Sequence, residues 1–97
     1  ARVFGLEVRG GLMTGAGILD GDLGLLEHGP EPKDGDIVAA LIDGETTLKR
    51  FRVRNGRPVL QAENPAYPER TPVSELQVQG IYRALVRVPG EGRHGRR

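Results

Sequence analysis

DIVAALIDGETTLKRFRVRNGRPVLQA, residues 36–62, decides the fold class. Runs rich in valine, isoleucine and leucine flank Asp43-Gly44, and another follows Asn55-Gly56. A two-residue hairpin turn needs positive φ at its central positions, which Asp-Gly and Asn-Gly accommodate well. The stretch therefore predicts a three-strand meander over about residues 36–62. Pro58 lacks an N–H for the ladder and suits a strand start or an edge.

Register follows from the first turn. With Asp43 and Gly44 central, Ile42 faces Glu45, Ala40 faces Thr47 and Val38 faces Lys49. Lys49 then shares a sheet face with Val38, Ala40, Thr47, Phe51 and Val53. A lysine in that apolar neighbourhood loses hydration, which favours the uncharged amine and so a general base. A three-residue loop would instead turn Lys49 to water, as an ordinary strand lysine beside Arg50 and Arg52. Local sequence leaves both readings open.

Outward from the meander, turn signals continue and no window of eleven or more residues sustains a helical period. VFGLEV reads as a first strand, LMTGAGI as a single helical turn, and LGLLE (23–27) as a short strand ended by GPEPKDGD. ENPAYPERTP reads as a proline-rich loop short of regular structure. ELQVQGIYRALVRV (75–88) alternates at Leu76, Val78 and Gly80 and at Tyr82, Ala84, Val86 and Val88, which predicts strands broken near Gly80. Such a terminal β element offers a second subunit its apolar side chains and an unpaired backbone edge. The expectation is a mostly β fold, with a domain over 1–88 and a flexible, basic, glycine-rich tail over 89–97.

A chain of 97 residues allows one domain, burying about 60–65% of its unfolded surface. With no cysteine, disulfides and thiolate metal sites are excluded. The net charge of +1 is uneven: Arg93, Arg96 and Arg97 against Glu91 leave residues 1–88 at −1. The body thus has no basic excess for nucleic acid, and the tail reads as a solubilising end or a weak polyanion contact. IVAALI (37–42) is too short to span a bilayer and no secretory leader opens the sequence, so no membrane role and a cytoplasmic location are expected.

Most motifs resolve to structure. Asp20, Asp22, Asp34, Asp36 and Asp43 make no calcium loop and read as turn residues beside glycine. His28 and His94 are too isolated to define a zinc site. GLMTGAG lacks the lysine and hydroxyl residue of a phosphate loop, and Tyr67 and Tyr82 lack a basic stripe for stacking nucleic acid. No metal or cofactor is expected.

RGGLMTGAGI (9–18) is different. Gly10 and Gly11 permit tight backbone with exposed amides able to hold an oxyanion. Leu12, where a nucleophile would stand, has no lone pair or proton to offer. Thr14 carries a hydroxyl but lies two residues away, in a different geometry. The plainer reading is a glycine-rich turn whose Leu12 and Met13 pack inward.

Taken together, VRGGLM (8–13), ILDGDL (18–23), DGDIVAALIDGETTLKRF (34–51) and AENPAYP (62–68) resemble the C-terminal domain of LexA-type repressors and the related UmuD proteins, self-cleaving serine–lysine peptidases. The resemblance runs from about Phe4 to Val88. It implies a compact, signal-peptidase-like β fold, a homodimer, and a serine activated by an uncharged lysine. The lysine falls on Lys49; the serine falls on Leu12, before Met13, with Gly10 and Gly11 in the supporting loop. It further implies cleavage of an Ala-Gly or Cys-Gly bond in the protein's own upstream linker, a RecA-type nucleoprotein filament as trigger, and DNA contact only through an N-terminal helix-turn-helix domain. Eleven residues precede Leu12, so linker and DNA-binding domain are expected outside this sequence; Ala16-Gly17 lies within the loop and makes a poor substrate. The leading expectation is the regulatory domain of an SOS repressor disabled at Leu12. The alternatives are a UmuD-like or non-catalytic interaction module, and an active peptidase using Thr14.

Overall fold

A computed structural model describes residues 2–67, 70–72 and 77–89. His94, Leu76 and the tail from 90 onward lie outside them. The described chain forms seven strands: β1 (Arg2–Glu7), β2 (Leu23–His28), β3 (Ile37–Ile42), β4 (Glu45–Arg54), β5 (Arg57–Gln61), β6 (Arg70–Pro72) and β7 (Val78–Val86), with one 3₁₀ turn at Thr14–Ala16. They make a single antiparallel sheet in the order β1-β2-β7-β3-β4-β5-β6.

The meander forms as its turns dictate. Asp43 and Gly44 adopt φ 51° and 78°, and Asn55 and Gly56 adopt 54° and 75°. These left-handed pairs match the twist of the flanking strands. The β3–β4 ladder then sets Val38 opposite Lys49, Ala40 opposite Thr47 and Ile42 opposite Glu45. Pro58 is the second residue of β5, paired to Val53 on β4 ahead of the β6 ladder, which begins at Val59. No proline N–H is missed there.

Strand alternation gives the sheet an apolar cluster on each face. One gathers Val8, Met13, Ile18, Leu26, Ala39 and Leu48 beneath the loop that joins β1 to β2; the other gathers Val38, Ala40, Phe51, Leu60 and Ile81. Leu26 and Leu60 are fully enclosed, each contributing about 1.5–3 kcal/mol by leaving water.

Three expectations change. The segment after residue 62 is not all loop: Arg70–Pro72 pairs with β5 as the edge strand, where Pro72, without an N–H, is tolerated. The last segment is not broken at Gly80, because β7 runs through it. The ladder instead shifts register between Ala39 and Ala40 on one side and between Leu25 and Leu26 on the other, and Gly80 is required by a neighbour's ring rather than by a chain break. Nor is β7 an edge strand. Its backbone pairs with β2 from Ile81 to Val86 and with β3 from Val78 to Ile81, so the edges belong to β1 and β6.

Candidate active site

The loop from Val8 to Asp22 is built on glycine and aspartate. Gly10 takes φ 83° and donates its N–H to Asp20 Oδ1 at 2.7 Å. Gly17 closes the 3₁₀ turn at φ 79°, its N–H returning to the Thr14 carbonyl at 2.9 Å. Met13, the residue that caps the start of this turn, is buried, its carbonyl accepting from the Ala16 and Ile18 N–H groups at 3.0 and 3.2 Å. Leu12 is half-buried against the same cluster. Leu12 and Met13 thus pack inward as expected.

The loop docks on the segment that follows β5. The Glu63 N–H donates to the Leu12 carbonyl at 2.8 Å, and the Gly15 N–H donates to the Glu63 carbonyl at 2.6 Å. Asn64 Nδ2 donates to the Gly11 carbonyl and, at 3.2 Å, to Thr14 Oγ1, while its Oδ1 accepts the Ala66 N–H at 2.9 Å. Thr14 Oγ1 itself donates to the Gly11 carbonyl at 3.3 Å. That hydroxyl is therefore a structural tie within the loop.

The docking segment also lies against β4. Gln61 pairs with Arg50, the neighbour of Lys49, and the Arg50 guanidinium reaches Glu63 at 3.6 Å and donates to the Gly35 carbonyl at 2.7 Å. Residues 61–64 thus bridge the strand of Lys49 and the loop of Leu12. By ladder alternation the half-buried Lys49 falls on the face of Val38 and Phe51, whereas Leu12 packs on the cluster of Leu48. A cleft of about 240 Å³ is lined by Leu12 and Met13 on one side and Glu45, Thr46, Thr47 and Leu48 on the other. In its wall, Thr47 Oγ1 is enclosed without a hydrogen-bond partner among the described residues. A larger groove of about 510 Å³, walled by Phe51, Val53, Pro58 and Val78, includes neither Leu12 nor Lys49 in its lining.

Asp22 corrects the reading of the aspartates as turn residues. It is fully enclosed and accepts from the Arg87 guanidinium through both oxygens, at 2.8 Å each. This bond, and then proximity to Asp22 and Tyr82, raises the Arg87 pKa against the opposing effect of burial. The sequence signal was a lone arginine out of phase with Val86 and Val88. Glu63 and Asn64 carry no local sign of their role, because the loop they hold lies some fifty residues away. His28 Nδ1 donates to the Gln79 carbonyl at 2.9 Å.

Residues 1–83 match the family described as Peptidase S24-like, and the chain belongs to that family. It is 54% identical over 93 residues to a LexA repressor of Verrucomicrobium spinosum, covering 96% of this chain and 45% of that protein. It is 49% identical over 86 residues to a LexA repressor of Opitutus terrae, covering 88% and 42%. A LexA repressor of Parafrankia is 44% identical over 85 residues, covering 88% and 34%. The chain thus spans less than half the length of these curated relatives. No helix among the described residues is long and apolar enough to cross a membrane.

Proposed function

We propose that this chain is the C-terminal regulatory and dimerisation domain of a LexA-like SOS repressor in which self-cleavage is disabled at position 12. One observation carries the reading: an S24 chain related to LexA repressors has a hydrocarbon side chain, Leu12, in the loop that docks beside the lysine strand. By the S24 resemblance, in an intact site Lys49 takes the nucleophile's proton, the alkoxide attacks the scissile carbonyl of the protein's own upstream linker, loop amides hold the oxyanion, and the proton passes to the amine as the peptide C–N bond breaks. For this the Lys49 side chain, which alternation sets on the face opposite Leu12, must reach round β4 to position 12. Leu12 has no proton to give. Thr14 is a poor substitute because its hydroxyl is bonded to Gly11 and Asn64.

The partners follow from this role: a second copy, the upstream linker as tethered substrate, a RecA-type filament as trigger, and DNA through a separate domain, all in the cytoplasm. A homodimer is supported by exposed apolar residues. Leu23 and Val86 stand opposite each other, 40% and 48% exposed, and Val3 shares their face at 66%. Pairing two such domains raises the effective concentration of attached DNA-binding heads.

The test is incubation of the chain, extended by its native linker, at alkaline pH. No fragments are expected, and specific cleavage at an Ala-Gly bond overturns the disabled site. Leu12→Ser is expected to restore cleavage, and Lys49→Met in that background to abolish it.

A further inference from the structure

The loop that carries position 12 is held at its far end by a residue from the other end of the described chain. Asp22 is the one buried charged residue among the described residues. Its Oδ1 accepts from Arg87 Nε and its Oδ2 from Arg87 Nη2, each at 2.8 Å, and the same Nη2 donates to the Gly17 carbonyl at 2.8 Å. Oδ2 also accepts the Leu19 N–H at 2.8 Å. The backbone of Asp22 is tied back to Val8: its carbonyl accepts the Val8 N–H, and the Gly21 N–H returns to the Val8 carbonyl, both at 2.8 Å. One planar guanidinium therefore fixes both ends of the 17–22 turn, and that turn fixes where the 9–16 segment leaves β1. A carboxylate enclosed this fully needs such charge-assisted partners.

Arg87 stands between Val86 and Val88, which are 48% and 56% exposed. Alternation sends those two outward while Arg87 turns to the loop. It also lies beyond residue 83, where the family match ends.

We infer that Arg87 is a positioning residue for the candidate active-site loop, acting through Gly17 and Asp22 on the placement of position 12. The functional meaning of that placement rests on the S24 reading above; the geometry of the clamp does not. Lysine cannot replace it, because a compact ammonium does not span two carboxylate oxygens and a carbonyl in one plane.

Amide hydrogen exchange on the chain, Arg87→Lys and Arg87→Gln separates positioning from general stability. The Ala16, Gly17 and Ile18 amides bond within the loop, whereas Gly35 and Phe51 bond within the meander. In both variants the loop amides are expected to exchange at least ~10-fold faster while the meander amides change little, since local opening and global unfolding are separate events. Equal acceleration everywhere, or unchanged loop amides in Arg87→Lys, overturns the proposal; if Arg87→Gln does not fold, Arg87→Lys decides alone. In the linker-extended Leu12→Ser chain, adding Arg87→Lys is expected to slow cleavage at least ~10-fold without moving the pH midpoint set by the general base. If Leu12→Ser alone fails to cleave, the functional reading falls and the exchange result still judges the clamp.

Discussion

The ring of Phe4 occupies the space that a side chain on Gly80 would need. A Cβ there would lie 2.8 Å from Phe4 Cε1, 2.9 Å from Cζ and 3.2 Å from the Glu27 carbonyl oxygen. Phe4 packs on the cluster around Leu26, so it cannot swing aside without losing contacts. Gly80→Ala is expected to cost about 1–3 kcal/mol as overpacking. Combining it with Phe4→Leu should cost less than the two changes added, measured by urea unfolding as a double-mutant cycle.

Gly15 is constrained more severely, because a Cβ on it would stand 2.5 Å from the Glu63 carbonyl oxygen, a backbone atom. Gly15→Ala is expected to break the Gly15–Glu63 and Glu63–Leu12 hydrogen bonds, at about 2–3 kcal/mol. Exchange of the Glu63 amide should rise while meander amides remain protected. An unchanged Glu63 amide would mean that the loop docks otherwise.

Asp34 links stability to acid. The Val53 N–H, bonded at 2.8 Å, holds its pKa below the ordinary aspartate value of 3.8, with desolvation opposing and Arg52 and Arg54 aiding. The folded state binds the proton less tightly than the unfolded one, so this contribution is complete above about pH 4 and fades as pH falls through the lowered value. Thermal melts of Asp34→Asn and the parent should differ at pH 6 and converge toward pH 2.

Tyr82 acts at the alkaline end. Desolvation raises its pKa above 10.0, with the nearby Asp22 charge adding to this and Arg87 opposing it. The unfolded chain therefore loses the phenol proton first, and stability present below about pH 10 declines as pH rises through the folded value. Tyr82→Phe should flatten that decline in denaturation midpoints measured from pH 9 to 12. An identical decline in the variant would assign it to another group.

The meander was legible because its information is local: Asp43-Gly44 and Asn55-Gly56 dictate turns, and a two-residue turn dictates register, which put Lys49 opposite Val38. The inward packing of Leu12 and Met13 was legible for a similar reason, as apolar residues within a glycine-rich turn. What stayed hidden depends on contacts between distant residues. Nothing near Asp22 announces Arg87, and nothing near Gly80 announces Phe4, so a buried ion pair read as a turn and a packing glycine read as a break. The strand at Arg70–Pro72 was masked by prolines, which an edge tolerates but a local propensity scale penalises. The insertion of β7 between β2 and β3 is a topological choice that alternation does not encode.

That insertion orders events on the ribosome. β1 and β2 pair with each other, and β3 to β6 pair in succession, but among the described strands only β7 pairs with both groups. The nascent chain can therefore zip two half-sheets early, yet the seam between them stays open until residues 78–86 emerge, because long-range pairing must await its partner. Until then β2 and β3 each present a bare hydrogen-bonding edge, and a pause in translation ahead of residue 78 leaves a nascent chain open to aberrant pairing.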